Sequence, residues 1–566
     1  MIHIRTVPGI AIEVLRVKGE ALEFRGVYVG PDGAGRRFVD LSGLTLIPDG
    51  GRNLDFPLAM LSTTRENVMR KRKKITNCEC TRFVCSVDLG ALGGPAELVW
   101  KGDGPAVARG WAGVRQEDYS PLSDGVRGTC FTVGRLLVRQ RGGRLLIGRA
   151  SGAAVLSARL AWWFDLLVHP GPASMKVLVL KAVTWWHSLS VRKRSLWLFA
   201  DRVNKADDNG RALFEYCATL PKSEDSPRMV FAIQKGAPEE AELRKVGEVI
   251  DILSLKYKAY FMLADFIISA YRTKAQRMPF SMNVLRRLKP EVNHAKFVYL
   301  RHGISYNDLS ADVGIAQVNA RILCTSTPQE YDSIFRLPYG YSRDEARLVG
   351  MPRYDKLYDA STKSIVMMPT WRRTMVTRTH AFEHKAIKGF AESTFCRTYR
   401  ELFNDARLRD ACARLGYSLE LMMHPNMVEQ IKDFAPGEHV KILPLSVRYR
   451  DVFASAGIVL TDYSSVAFDV AYLKKPVVYF QFDKDEFFGE QYVPGYFITE
   501  RDGFGEVEYT VDAVVDRLID YMENGAKMKP EYVARVEKFF AFTDRNNCKR
   551  VYEAILKAEA ENRERE

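Results

Sequence analysis

The sequence of 566 residues has no paired cysteine motif and no long apolar run. Its nine cysteines are an odd number without CxxC spacing, which argues against a disulfide framework and a zinc module. No uninterrupted stretch reaches the ~18 apolar residues of a transmembrane helix. The segment from Met1 to Val17 lacks a basic stretch followed by an apolar core, so we predict no signal peptide. We therefore expect a cytoplasmic protein.

Several catalytic patterns are also missing. Walker A and GxGxxG sequences are absent, so a bound phosphate would be held differently from those in P-loop or dinucleotide-binding folds. Neither HExxH nor another metal-ligand spacing occurs, and we predict no metal site. The absence of GxSxG argues against hydrolase chemistry.

The composition is typical of a globular protein, with 47% hydrophobic and 27% charged residues. The net charge of +14 is concentrated near the start, because residues 1–195 carry +13 and the remainder carries +1. Such a basic region could meet nucleic acid, an anionic membrane or an acidic polymer. Because zinc-finger spacing and RNP-type sequence are absent, we expect no nucleic-acid partner.

The length predicts three or four domains. Short alternating runs between turn residues predict a β-rich, sandwich-like accessory domain over residues 1–155, with strands such as Ile10–Val17, Leu22–Val29 and Leu136–Gln140. Beyond residue 195, strand-like and helix-like segments alternate, which is typical of an α/β fold. A break near residue 350 gives two halves, 196–349 and 350–540, followed by a C-terminal helix and tail over 541–566. Predicted helices include Ala241–Leu253 and Ser465–Leu473.

The sequence of residues 156–195 predicts an amphipathic linker. A second apolar piece, Ala173–Ser190, follows a Pro-Gly-Pro break. On a helical wheel its polar residues fall in one arc: Lys176, Lys181, Thr184, His187 and Ser188. We predict that this helix lies on a membrane surface. A connecting helix packed on the next core is the alternative. The predicted membrane contacts are Lys176, Lys181, Trp185, Trp186, Arg192, Lys193 and Arg194.

Four polar motifs directly follow predicted strands. In an open parallel sheet, ligands bind outside the carboxyl ends of the strands, so four such motifs predict a cleft between two α/β domains. The motifs are Arg301-His302-Gly303, Pro369-Thr370-Trp371-Arg372, His424-Pro425-Asn426 and Thr461-Asp462-Tyr463-Ser464-Ser465.

The Ser464-Ser465 pair precedes a predicted helix, so one serine should be its N-cap. Free N–H groups at a helix start can accept a phosphate, with the hydroxyls as further donors; a plain N-cap is the alternative. His302 and His424 each end a strand, where both a structural and a catalytic role stay open. Asp207-Asp208-Asn209 could contact a polar substrate or form a solvated turn.

The ordered series of motifs resembles the CDP-glycerol glycerophosphotransferase family, which makes teichoic-acid-like glycerol phosphate polymers. The similarity covers about residues 195–545. Its strongest block runs from Leu460 through Asp469 to Pro476. The other matching segments are Leu198–Arg202 with Asp207–Asn209, His302–Ile304 with Asp308–Ser310, Gly350–Asp355, Pro369–Arg372, His424–Pro425, Gly495–Phe497 and Asp502–Gly505.

The resemblance implies a GT-B fold with two Rossmann-like domains. It implies that an acceptor hydroxyl attacks the β-phosphate of CDP-glycerol and releases CMP, with His302 as general base and His424 at the donor phosphate. The implied substrate-binding residues are Gly303, Thr370, Arg372, Thr461, Asp462, Ser464, Ser465, Asp469, Arg202 and Asn209. The resemblance implies CDP-glycerol and a polymer or lipid-linked acceptor as partners. The basic charge and the amphipathic linker predict an anionic membrane surface as a further partner, and association with a second copy of the chain is left open. No tightly bound cofactor is implied.

One segment departs from the family pattern. Ile304–Asp308 stands where better-known polymerases have a small residue, a proline and a nearby lysine, and this leaves the acceptor open. The alternatives are a GT-B transferase that uses CDP-ribitol or a nucleotide sugar, and a catalytically silent, membrane-bound polymer-binding protein.

Overall fold

The computed structural model describes the strands within residues 2–149, and residues 151–563 apart from 192–193, 289–294, 338, 379–383, 388 and 491. The strands before residue 150 form two sheets, ordered β1-β5-β6-β3-β2 and β4-β7-β10-β9-β8. Strands occur at the positions predicted for Ile10–Val17, Leu22–Val29 and Leu136–Gln140; the separate sandwich domain stays a prediction. The ten strands are β1 Ile2–Ile4, β2 Gly9–Lys18, β3 Ala21–Val29, β4 Leu44–Pro48, β5 Leu58–Arg70, β6 Lys73–Asp88, β7 Ala96–Trp100, β8 Cys130–Val133, β9 Leu136–Arg141 and β10 Arg144–Arg149.

Two consecutive helices, α1 (Gly152–Val168) and α2 (Pro172–Val191), connect these strands to the rest of the chain. Val177, Leu180 and Val191 of α2 are buried in the core of the following α/β half. The helix is therefore packed on that core, as the connecting-helix alternative predicts. Among the helices that the structure describes, none combines the length and apolarity of a membrane span.

The outward face of these two helices is apolar. Most of the arc predicted to be polar faces the protein, since Ser188 is buried and Thr184 and His187 are half-buried, whereas Lys176 is exposed. Trp185 and Trp186 are 64% and 68% exposed. Lys181 is half-buried, and its ammonium lies 5.4 Å from the Trp162 ring centroid. Arg192 and Lys193 lie outside the described residues.

The first half contains a seven-stranded parallel sheet in the order β13-β12-β11-β14-β15-β16-β17. Its strands are β11 Leu196–Ala200, β12 Arg228–Ile233, β13 Glu248–Asp251, β14 Phe266–Ser269, β15 Lys296–Tyr299, β16 Ile322–Thr325 and β17 Ala346–Leu348. Its helices are α3 Asn209–Thr219, α4 Glu240–Val246, α5 Leu255–Leu263, α6 Lys274–Arg277, α7 Met282–Leu288, α8 Ser310–Val313, α9 Ile315–Val318 and α10 Pro328–Arg336. Nearly continuous apolar strands, covered on both faces by helices, explain the parallel pairing.

The second half contains a six-stranded parallel sheet in the order β22-β21-β18-β23-β24-β25, and a separate two-stranded sheet, β19-β20. The strands are β18 Ser364–Met368, β19 Val376–Arg378, β20 His384–Ala386, β21 Ser418–Leu421, β22 Val440–Ile442, β23 Ile458–Thr461, β24 Val477–Phe480 and β25 Val507–Glu508. The helices are α11 Thr394–Phe403, α12 Ala406–Leu415, α13 Ile431–Phe434, α14 Tyr449–Ser455, α15 Val466–Tyr472, α16 Lys484–Glu490, α17 Thr499–Asp502, α18 Val511–Glu523, α19 Pro530–Phe539 and α20 Asn547–Arg563. Four 3₁₀ helices are Pro352–Lys356, Arg373–Met375, Phe390–Glu392 and Pro425–Gln430.

One predicted helix is wrong over its second part. Ala241–Leu253 is helical only to Val246, and the chain then forms β13. A Cβ atom at Gly247 would lie 2.8 Å from the Phe214 ring of α3, so glycine allows the chain to pass close to that helix after α4 ends. The following β-branched residues, Val249 and Ile250, are buried in the sheet.

Both parallel sheets reverse strand order at one point, between β11 and β14 in the first half and between β18 and β23 in the second. A crevice opens at such a point beyond the carboxyl ends of the strands. Asp201 and Tyr271 lie near it in the first half, and Thr370 and Asp462 in the second. The C-terminal α20 returns to the first half, where Val551 and Ile555 are buried.

Candidate active site

The two halves share a cavity of about 420 Å³ at the carboxyl ends of their sheets. It is lined by nine Arg or Lys residues and five Asp or Glu residues, and this excess of positive charge favours an anionic substrate. Eight of the predicted site residues line it: Arg202, His302, Gly303, Thr370, His424, Ser464, Ser465 and Asp469. The structure thus brings residues from all four predicted motifs to one cleft.

His302 is presented to the cleft by a short turn after β15. Arg301 has a φ of 63°, an uncommon conformation for a residue with a side chain. Its buried guanidinium lies 3.2 Å from the Glu330 carboxylate, which also accepts a 2.7 Å hydrogen bond from the Ser305 N–H. This buried pair holds the turn. The side chain of His302 opens onto the cleft at one edge, while one ring face is covered by the Tyr271 ring.

The surroundings of His302 favour its neutral form. Desolvation by the surrounding protein is the main cause that lowers the pKa of the imidazole to about 4. The Asp208 carboxylate raises this pKa, whereas the guanidiniums of Arg202, Arg353 and Arg301 lower it. The ring is therefore unprotonated at neutral pH and can accept a proton.

The serine pair lies at the start of α15. The Ser464 hydroxyl accepts a long, 3.4 Å hydrogen bond from the Val466 N–H, while Ser465 occupies the cap position without a capping hydrogen bond from its side chain. Both serines line the cavity beside Gly303 of the first half. The predicted serine cap is thus present in a weak form, and hydroxyl groups from this loop border the cavity.

His424 lies at the opposite wall, in the second half. Its Nδ1 atom accepts a 3.1 Å hydrogen bond from the Asn426 N–H. The neutral ring therefore carries its proton on Nε2 and can donate it in a hydrogen bond to a phosphate oxygen. The Trp371 ring lies nearly parallel to it, with ring centroids 6.0 Å apart.

Several predicted substrate contacts lie behind the cavity wall. Arg372 is buried and donates hydrogen bonds of 2.8 Å to Asp462 and 2.7 Å to Asp483. Asp462 accepts a further bond from the Thr370 N–H, and Thr461 donates to the Met368 carbonyl. These three predicted residues brace the loops that carry Thr370 and the serines, because their polar atoms are already bonded within the protein.

Asn209 is also fully buried and holds backbone groups rather than facing the cavity. Its side-chain amide donates a 2.8 Å bond to the Arg301 carbonyl, and its oxygen accepts a 2.9 Å bond from the Arg353 N–H. It thereby fixes the turn that precedes His302.

Sequence reasoning assigned no role to Arg353, which joins the two halves. Its guanidinium binds Asp469 through two hydrogen bonds of 2.8 and 2.9 Å, Asp208 through one of 2.8 Å, and the His302 carbonyl through one of 3.0 Å. The residue lies in the matched Gly350–Asp355 segment, which was the available signal. Burial is the main cause that raises the pKa of Asp469 to about 6, opposed by Arg353.

The departing segment after His302 packs across the cleft. Tyr306 is buried against Phe468 and Phe497 of the second half, and its hydroxyl donates to the Tyr463 carbonyl. The segment therefore also joins the halves. In the described part of the chain, no group of three His, Cys, Asp or Glu side chains is arranged to hold a metal ion.

Two parallel α/β sheets that share a basic cleft define a GT-B-like class of fold. Residues 180–557 match the family described as CDP-glycerol:poly(glycerophosphate) glycerophosphotransferase, and the chain belongs to this family.

Two curated relatives are similar to the chain. The minor teichoic acid biosynthesis protein GgaB of Bacillus subtilis is 34% identical over 370 residues, which is 64% of this chain and 40% of that protein. The chain thus spans well under half of that relative. A teichoic acid glycerol-phosphate transferase of Staphylococcus aureus is 22% identical over 62% of this chain and 90% of its own length.

A solved structure has the same fold. The wall teichoic acid polymerase TagF superposes with a TM-score of 0.50 at 16% identity, covering 74% of this chain and all of that one. At this identity the likeness supports the two-sheet architecture alone.

Proposed function

We propose that the chain transfers glycerol phosphate from CDP-glycerol to a hydroxyl of a cell-wall or capsular polymer acceptor and releases CMP. The observation that carries this proposal is a basic cavity that His302 of one half and His424, Ser464 and Ser465 of the other half line together. Family membership supports the donor class.

The proposed reaction divides its tasks between the halves. Neutral His302 takes the proton of the acceptor hydroxyl as its oxygen bonds to the β-phosphorus, and the bond from that phosphorus to the oxygen shared with CMP breaks. His424 and the serine hydroxyls donate hydrogen bonds to phosphate oxygens that carry the growing charge. Phosphoryl transfer depends mainly on such positioning and charge stabilisation.

The donor is tested by competition. Purified protein is incubated with a glycerol phosphate polymer acceptor and with CDP-glycerol, CDP-ribitol or UDP-N-acetylglucosamine, and released nucleotide and acceptor mass are measured. We expect CMP release with CDP-glycerol, matched by one glycerol phosphate added per CMP. Faster nucleotide release with CDP-ribitol or UDP-N-acetylglucosamine would contradict CDP-glycerol as the donor. No release with any donor or acceptor would favour a polymer-binding protein.

We also propose the predicted domain limits for the chain. The halves that share the cleft correspond to 196–349 and 350–540, preceded by an accessory domain over 1–155 and the linker 156–195, and followed by 541–566. The supporting observation is that each half contributes its own parallel sheet.

We further propose that the protein is cytoplasmic and binds the inner face of the membrane through the outward face of α1 and α2. Eleven of the nineteen exposed large hydrophobic residues of the described chain lie in this short stretch, which concentrates apolar surface in one place. Their side chains would enter the interfacial region of a lipid layer, while exposed Lys176 and Arg194 would meet anionic headgroups. The exposed residues are Leu156, Leu160, Trp163, Phe164, Leu167, Val168, Met175, Val179, Trp185, Trp186 and Leu189.

Sedimentation with phosphatidylglycerol vesicles tests this surface. Trp185→Ser combined with Trp186→Ser should weaken vesicle binding at least tenfold, since each buried side chain contributes roughly 1.5–3 kcal/mol. A control pair, Leu253→Ser with Val493→Ser, removes exposed apolar side chains elsewhere and should bind as wild type does. Equal sedimentation of all three proteins would leave α2 as a connecting helix only.

A further inference from the structure

Tyr271 lies against the His302 ring inside the cleft. It lies two residues beyond the carboxyl end of β14, where the first sheet reverses strand order. The two rings are stacked, with centroids 5.3 Å apart and planes only 9° from parallel. A near-parallel stack of this kind restricts the tilt of the imidazole while leaving its edge in the cavity.

The hydroxyl of Tyr271 is held at both of its hydrogen-bonding positions. It donates a 2.8 Å bond to Asp208 Oδ2 and accepts a 3.0 Å bond from Arg202 Nε. The Arg202 guanidinium carbon also lies 5.1 Å from the Tyr271 ring centroid. The ring that packs on His302 is therefore fixed by a charged pair and cannot rotate freely.

Arg353 closes a loop of contacts around His302. The other oxygen of Asp208, Oδ1, accepts a 2.8 Å bond from Arg353 Nη1, and the same nitrogen donates to the His302 carbonyl. His302 is thus held at its ring by Tyr271 and at its backbone by Arg353, with Asp208 joining the two. Because Arg353 also binds Asp469 of α15, this loop is anchored in the second half as well.

We propose that Tyr271 is the positioning residue for His302, with Asp208 as the link that fixes the Tyr271 ring relative to the His302 backbone. The proposal rests on the proposed role of His302 as general base, although the positioning itself can be measured without substrate. A base must face the hydroxyl at hydrogen-bond distance, so loss of the stack should lower turnover more than donor affinity.

The titration of His302 reports on the stack directly. The charged or titratable groups around the ring are Arg202 after β11, Asp208 before α3, Tyr271 after β14, Arg301 after β15 and Arg353 of the 3₁₀ helix. Removing the Tyr271 ring admits water, so the pKa of His302 should rise from about 4 toward its ordinary value. Removing the Asp208 charge should lower the same pKa further, because that charge favours the imidazolium.

The experiment follows the His302 ring by NMR in full-length protein with labelled histidine, using His302→Gln for assignment. Tyr271→Leu should raise the midpoint by about one unit or more, and Asp208→Asn should lower it. Tyr271→Phe keeps the stacked ring and should leave the midpoint within ~0.5 units of wild type. In assays, Tyr271→Leu should reduce kcat by about tenfold or more, with the KM for CDP-glycerol within threefold. Tyr271→Phe should give a kcat between those of wild type and Tyr271→Leu, because it keeps the stacked ring but loses the bond to Asp208.

Tyr216→Leu is the matched control. Tyr216 is a partly buried tyrosine of the same half that contacts Tyr552 and does not line the cavity, so the midpoint and kcat should match wild type. An unchanged midpoint in folded Tyr271→Leu, or a fall in kcat shared equally by Tyr216→Leu, would overturn the proposal. Should Tyr271→Leu fail to fold, an unchanged midpoint in folded Tyr271→Met would do so. If the titration midpoints are as expected but the protein transfers nothing from CDP-glycerol, the positioning of His302 by Tyr271 is supported and the proposed function is contradicted.

Discussion

Gly303 brings the loop of the proposed base against the loop of the proposed phosphate site. A Cβ atom on this residue would lie 2.7 Å from Ser465 Oγ and 3.3 Å from Ser465 Cβ. A separation of 2.7 Å is shorter than van der Waals packing permits, so a side chain at Gly303 would have to displace Ser465. At this position, glycine allows a close approach between the two halves.

Gly303→Ala is therefore expected to disturb the donor site without unfolding the protein. Overpacking costs roughly 1–3 kcal/mol, so the affinity for CDP-glycerol should fall by about fivefold or more in calorimetry. Gly489→Ala is the matched control, because a methyl group there meets no atom within 4 Å. Equal donor affinity in both variants would show that the contact between Gly303 and Ser465 does not shape the site.

The serine hydroxyls are expected to contribute directly to donor affinity. A hydrogen bond from a hydroxyl to a charged phosphate contributes ~1.5–3 kcal/mol, so Ser464→Ala with Ser465→Ala should weaken CDP-glycerol binding at least tenfold. Ser223→Ala with Ser226→Ala removes a surface pair of bonded hydroxyls and serves as control. Wild-type affinity in the double variant at 464 and 465 would remove the phosphate role from this loop.

At the level of elements, Arg372 holds together the segments that follow β18, β23 and β24. Its side chain is 5% exposed and pairs with Asp462 and Asp483, whose side chains are 0% and 9% exposed. Phe395, Tyr463 and Phe487 also lie within about 5 Å of the guanidinium. The loops that carry Thr370 and the serines are therefore held together by one buried arginine and its two carboxylate partners.

Removing this cation should destabilise the second half. Arg372→Met leaves two buried carboxylates without their partner, which costs ~3–5 kcal/mol in the free energy of unfolding measured with urea. Arg407→Met breaks surface pairs with Asp512 and Asp516 and should change that free energy by ~0–1 kcal/mol. Similar losses in the two variants would contradict a structural role for Arg372.

The strands were predictable where apolar runs ended in polar motifs. β14 has the bounds that the sequence predicts, Phe266–Ser269. β18 begins one residue before the predicted Ile365–Met368, and β23 is shifted by one residue from the predicted Gly457–Leu460. β13 was missed because Val249 and Ile250 also suit a helical pattern, so local apolar spacing could not separate the two structures. Which face of α2 points outward depends on its packing against the first half, and the sequence of the helix alone does not contain that information.

At the scale of the whole molecule, motif residues from both halves meet in one cavity, as their strand-end positions predict. The sequence did not distinguish residues that face the cavity from those behind its wall. Asp469 and Asn209 illustrate this, since both are polar motif residues that contact Arg353, but Asp469 lines the cavity and Asn209 lies behind its wall. Such contacts join segments more than a hundred residues apart, and no local pattern encodes them.

The central claim is that His302 and the donor-phosphate loop of the second half act on one substrate in a shared cleft. The most direct measurement is the rate of CMP release by wild type and by His302→Ala, at saturating CDP-glycerol and acceptor. Loss of a general base typically lowers a rate by ~10²–10⁴-fold, so His302→Ala should turn over at least a hundredfold more slowly while still binding CDP-glycerol. Turnover of His302→Ala within threefold of wild type would contradict the account.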